Sequence, residues 1–72
     1  MEYFYNNISI TINLDNLSLD ILNSMITNKS LNWIRQDIDT NTITISFQTE
    51  LNDEDRILLN NTVANHLIEE GL

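Results

Sequence analysis

The side chains able to carry acid–base, nucleophilic or metal chemistry are few in this sequence and poorly grouped. His66 is the only imidazole, cysteine is absent, and Gly71 is the only glycine. Nucleophilic catalysis needs a hydroxyl or thiol beside a base, and no serine lies in an elbow-type motif. His66 falls one helical turn after Val63 and two after Leu59, on the flank of their face, where a packed structural histidine is the simpler reading than a base or ligand. The run Asp53-Glu54-Asp55 has the composition of a metal cluster. Consecutive acids on a helix point in different directions, however, and no Asp-x-Asp-x-Asp-Gly calcium pattern follows. Asp37 and Asp39 share a strand face beside a turn, where solvation accounts for them, and a lone glycine builds no phosphate loop. The residues therefore predict no catalytic group, no metal and no cofactor.

Charge narrows the partners. Eleven Asp and Glu against three Lys and Arg give a net charge of -8, a field that repels phosphate backbones and anionic membrane surfaces. Direct nucleic-acid or membrane binding is not expected. Without cysteine, neither a disulfide framework nor a thiolate zinc site can supplement the core. Met1-Glu2-Tyr3-Phe4-Tyr5 is acidic and aromatic where a secretory leader would be basic and then continuously apolar, which suggests folding in a cytoplasm. Lys29 is the only lysine in a chain crowded with Asn and Ile, although lysine codons are equally A/T-rich. Base composition does not explain that scarcity. A surface selected to be acidic, for solubility or for a basic partner, does.

The elements that must position any site follow from periodicity. A chain of 72 residues forms one small domain, 1–72, with a thin core. From Phe4 to Leu14 the even positions carry the apolar residues Phe4, Ile8, Ile10, Ile12 and Leu14, a period of two that predicts a half-buried strand with Phe4 on its inner face. A helix is expected from about Asn16 to Thr27, capped by Asp15, with Leu17, Ile21, Leu22 and Met25 on its buried arc. Asn28-Lys29-Ser30 supplies its exit, a basic residue in the last turn beside an Asn that tolerates the left-handed conformation. A hairpin follows. A two-residue Thr40-Asn41 turn would pair Ile38 with Ile43, Gln36 with Ile45 and Ile34 with Phe47, although no glycine follows Asn41 and a longer loop also fits. The second helix starts after an Asn52 cap and stops at Gly71. The expected fold is α+β with order β-α-β-β-α. Its antiparallel sheet has three strands with the Ile43-Ile45-Phe47 strand in the centre, and two helices cover one face. Trp33, Arg35 and Tyr3 or Tyr5 would lie on or near the open face.

Two features point to an interface. In the second helix Leu59, Val63 and Leu67 form one apolar stripe, and Ile57, Ala64 and Ile68 form a second one beside it. The combined arc is wider than one core contact needs, unless the first helix covers both stripes. Trp33, with Arg35, sits among polar residues on the outer sheet face, where an amphipathic aromatic can anchor a partner or simply cover the sheet.

The segment FQTELNDEDRILLNNTVANH, Phe47 to His66, resembles a motif of small phage-encoded virion or accessory domains: a strand ending in Phe, a Leu before an acidic helix start, then Leu, Ile-Val and a terminal His. NLDNLSLDI, Asn13 to Ile21, is similar to the capped first helix of the same domains. Together with the intervening order and spacing, the resemblance covers about four fifths of the chain, mostly at core and cap positions. Thr62 stands where those domains carry Ile. The resemblance implies structural roles for Leu59, Val63 and His66 and carries over no catalytic residue. The expected function is a non-enzymatic phage structural or virion-associated protein, a capsid or tail accessory, acting by protein–protein assembly with itself or a larger virion subunit. It would be found in the virion or the host cytoplasm. The rival is an acidic, nucleic-acid-mimicking inhibitor of a host enzyme, motivated by the charge.

Overall fold

The computed structural model describes residues 1–71, which form β1 (Glu2–Tyr5), α1 (Leu14–Asn23), β2 (Leu31–Asp37), β3 (Thr42–Phe47) and α2 (Asp53–Gly71). The sheet has three strands in the order β1-β3-β2, both pairings antiparallel. This is the expected small α+β fold. β3 is central because it is apolar on one face and small and β-branched on the other, so it is buried on both sides. Ile43, Ile45 and Phe47 join Leu17 and Ile21 of α1, Leu59 and Val63 of α2, and Ile8, Ile12, Ile26 and Leu51 of the connections in one core. On the opposite face Thr44 and Ser46 are buried between Phe4 and Glu2 of β1 and Arg35 and Trp33 of β2.

The first strand departs from the expected one. β1 stops at Tyr5, and its inner face carries Tyr3 and Tyr5, while Phe4 is exposed. Asn7 adopts φ 63°, a left-handed conformation that ends the ladder and resets the face alternation. Beyond it Ile8 and Ile12 are buried without strand pairing. The Gln36 side-chain amide donates to the Ile10 carbonyl (2.7 Å) and accepts from the Ile12 N–H (2.9 Å), and the Ile8 N–H bonds the Asn41 carbonyl (2.8 Å). One amide thus satisfies the backbone groups that a neighbouring strand would otherwise serve.

The first helix begins and ends earlier than its periodicity suggests. Asn13, not Asp15, caps it, accepting the Asn16 N–H at 3.1 Å. Ser24 terminates it, its hydroxyl donating to the Ile21 carbonyl (2.6 Å). Met25 therefore lies outside the helix and is exposed, Leu22 is partly exposed, and Ile26 fills the core in their place. Asn28 is not left-handed. The Lys29 ammonium reaches back to the carbonyls of Leu22 (2.9 Å) and Ser24 (2.8 Å), meeting the negative end of the helix from outside it.

In the hairpin Asp37 pairs with Thr42, Gln36 with Ile43 and Ile34 with Ile45, a slip of two residues from the two-residue-turn register. The turn is longer, stabilised by the Asp37 carboxylate accepting the Asp39 N–H (3.0 Å) and by Asn41 at φ 54°. A slip of two preserves the faces, so Trp33, Arg35 and Asp37 stay on the outer side. A bulge at Asn32 then lets Leu31 rejoin Ile34 on the core face.

Candidate functional site

α1 packs beside α2 without covering its second apolar stripe. Asn52 caps α2 by accepting the Asp55 N–H at 2.7 Å, as its sequence suggests. That start directs Leu59 and Val63 into the core, with Leu67 half-buried against it. Ile57 and Ile68 remain 60% and 62% exposed, and Ala64 between them is exposed too. Burial of one isoleucine side chain stabilises by about 1.5–3 kcal/mol, so the uncovered stripe is an available source of binding energy.

The open sheet face is the second candidate. Trp33 and Arg35 are neighbours on it, with the guanidinium 5.6 Å from the indole centroid, a cation–π arrangement. Phe4, across β3 from Arg35, is 59% exposed. Tyr3 and Tyr5 do not belong to this surface, because the short β1 turns them toward the helices. The Tyr3 hydroxyl accepts the Leu51 N–H (2.7 Å) and its ring meets Phe47 edge-on. The Tyr5 hydroxyl donates to Asn60 of α2 (2.7 Å). A groove lined by Arg35, Gln36, Asp37, Ile38 and Asp39 runs along this end of the sheet and is open to solvent.

Burial pushes the Tyr5 phenol up to about 12, with Arg56 pulling it partly back and Tyr3 adding a smaller upward push. The folded chain therefore favours the neutral phenol. Its contribution to stability is whole below the ordinary phenol range near pH 10 and is lost as the pH rises toward the folded value. In a spectrophotometric titration of the folded protein, we expect one phenolate component to appear only near pH 12 and to vanish in Tyr5→Phe. A titration of the variant that keeps this late component would refute the assignment.

The acidic start of α2 is helix chemistry, with one addition that its sequence does not show. Asp55 is buried and accepts the Thr27 N–H (2.9 Å), the Thr27 hydroxyl (2.7 Å) and the Asn28 N–H (3.1 Å). It ties the α1–β2 connection to the second helix, and its oxygens are taken up by the protein itself.

His66 is the other buried polar group that the sequence leaves undefined. Its ring is 4% exposed, with Nδ1 2.5 Å from the Asp20 carboxylate of α1. Nε2 lies 3.1 Å from Glu70, one turn on, but is not aligned for a hydrogen bond. The structural reading of His66 as a packed histidine agrees with this burial. Its carboxylate neighbour was not visible in the sequence, because Asp20 is 46 residues away.

No helix among the described residues is long and apolar enough to cross a membrane. In comparisons with known proteins the chain matches no protein-family model, no curated protein and no solved structure.

Proposed function

We propose that this is a non-enzymatic phage structural or virion-associated protein that acts by protein–protein assembly, through the Ile57-Ala64-Ile68 face of α2. The observation that carries the reading is the exposure of that stripe, which α1 leaves uncovered although it packs beside α2. An uncovered apolar row on a regular helix suits a partner helix or a flat subunit surface. The resemblance of Phe47–His66 to phage virion and accessory domains supplies the setting. The exposed Trp33-Arg35 pair offers a second contact on the far side of the sheet, as a component of a larger assembly would use.

The acidic-mimic reading draws on the same net charge of -8. It loses ground on one particular: Asp55, one of the three clustered acids, is turned inward and bonded.

Light scattering behind size exclusion, over a wide concentration range and at two salt concentrations, tests the proposal. We expect a discrete oligomer or a complex with a larger virion subunit that is insensitive to salt, since apolar burial is not screened. Ile68→Asp should weaken that association at least tenfold, because even one lost isoleucine contact is worth about 1.5–3 kcal/mol. A strict monomer at high concentration that is also missing from purified particles would overturn the reading. Association with a basic host protein that collapses with salt would transfer support to the mimic.

A further inference from the structure

Resting on the assembly reading above, we infer that the partner of the α2 face is a second copy of this chain, with the two α2 helices packed antiparallel about a two-fold axis near Asn61 and Ala64. The stretch from Ile57 to Ile68 holds no Asp, Glu, Lys or Arg, although eleven acids and three bases stand elsewhere in the chain. Its exposed members are Ile57, Asn60, Asn61, Ala64, Asn65 and Ile68. At about 100° per residue these fall on one side of the helix, opposite the buried Leu59 and Val63. The two isoleucines and the alanine run along the middle, with asparagines on both flanks. An apolar centre inside an uncharged polar rim is the composition of a protein interface, whose centre is depleted of Asp, Glu and Lys.

Charge selects the occupant. Two copies at -8 each repel one another, and they approach at least cost where neither surface carries a charge. A basic partner would need carboxylates on this face, and between Ile57 and Ile68 there are none.

Spacing selects the two-fold axis. Ile57 and Ile68 stand about 16 Å apart along the helix. Reversing one helix on the other sets Ile57 of each copy against Ile68 of the other, so one contact made twice covers all four isoleucines, as an isologous interface requires. Asn61 and Ala64 then flank the axis, where the alanine has no bulk to hold the helices apart.

The helix ends select the direction. α2 closes on Glu69 and Glu70 with no basic residue in its last turn, and Arg56 is its only Lys or Arg. A parallel pair would align the two helix dipoles, set Glu69 and Glu70 beside their own copies and put Arg56 beside Arg56. The antiparallel pair opposes the dipoles and brings each Arg56 to the level of Glu69 of the other copy. Asp53 and Glu54 fall at the ends of the overlap, where solvent screens them.

The chain has no cysteine, so introduced cysteines report this geometry directly. Ile57→Cys and Ile68→Cys, both at exposed positions, are mixed in equal amounts, oxidised mildly and read by peptide mass spectrometry. In the antiparallel pair position 57 faces position 68, whereas two copies of position 57 stand about 16 Å apart along the axis, beyond the reach of a disulfide. We expect the 57-to-68 disulfide to exceed either like-with-like disulfide by about tenfold or more, and each variant oxidised alone to stay unlinked. Ala64→Glu sets two carboxylates near the axis and should weaken self-association by about tenfold or more. Asn16→Glu adds the same charge on α1 and should leave it unchanged. Like-with-like links, or a 57-to-68 link no more frequent than they are, would overturn the inference. A salt-insensitive oligomer without the 57-to-68 link would do so too, as would a monomer that binds a larger virion subunit through Ile68, and both of these leave the assembly reading standing. That reading falls with a strict monomer that is also missing from purified particles.

Discussion

Phe47→Ala should remove a large part of the chain's stability. Phe47 is fully buried on the central strand, meets the Tyr3 ring edge-on with centroids 6.1 Å apart, and pairs across the sheet with Leu31. Truncating a buried phenylalanine costs about 3–5 kcal/mol, through lost transfer energy and the cavity left behind. A domain of this length has a total stability of only about 4–11 kcal/mol. The loss is greatest here because the cavity would open among strand residues that cannot close over it: the Phe47 backbone is pinned by Met1 on both its N–H and its carbonyl, each at 2.8 Å. Urea unfolding followed by far-UV circular dichroism and by Trp33 fluorescence checks this. A variant whose midpoint stays within a few tenths molar of the parent's would show that the core has been wrongly placed.

Asp55→Asn is expected to be the most damaging polar substitution, and to alter the response to acid as well. The Thr27 N–H, followed by the Thr27 hydroxyl, holds the Asp55 carboxyl below its ordinary value. The Asn28 N–H and the Lys29 charge assist, and burial works against them. The folded chain therefore binds this proton less readily than the unfolded chain does. The stabilisation is whole at neutral pH. It is lost as the pH falls through the ordinary aspartate range near about 4 and on toward the lower folded value. An amide in place of the carboxylate puts an NH₂ group where either Thr27 or Asn28 needs an acceptor, leaving a half-buried donor unsatisfied. We expect a clear fall in Tm at pH 7 and a smaller difference between pH 7 and pH 3 than the parent shows. If Asp55→Asn melted with the parent's pH dependence, the carboxylate would not be the clamp described here.

What the sequence discloses divides along the range of the interactions involved. The helix start at Asn52, the buried row of Leu59 and Val63, and the central place of Ile43, Ile45 and Phe47 depend on neighbours within a turn or along one strand, and they are legible. The failures are all long-range or conformational. Phe4 to Leu14 has the alternation of a strand, but one left-handed residue, Asn7, and the Gln36 amide replace its partner. Met25 has the spacing of a helix residue, but Ser24 ends the helix before it. The hairpin slip follows from the Asp37 side chain favouring a wider turn. Among the candidate surfaces, periodicity marks Ile57, Ala64 and Ile68. It cannot decide whether α1 covers them, because crossing geometry is not written in either helix alone. The surroundings of His66 and Asp55 were beyond reach for the same reason, since their partners Asp20 and Thr27 lie 46 and 28 residues away.

The place of β1 in the sheet bears on the order in which the molecule assembles. β2 and β3 meet across a short turn, and each helix forms from its own residues, so these parts can organise within microseconds. The first five residues have only distant partners: Met1 reaches Phe47 across 46 positions, Tyr3 reaches Leu51 across 48, and Tyr5 reaches Asn60 across 55. Closing that span is entropically costly, and its return comes only when the third strand docks. Until then one edge of β3, the most apolar strand in the chain, is open to any other strand in solution. During synthesis β1 emerges before β3 and must wait for the intervening helix and strand. Crowding by nascent copies is therefore the condition under which this fold is most exposed to mispairing.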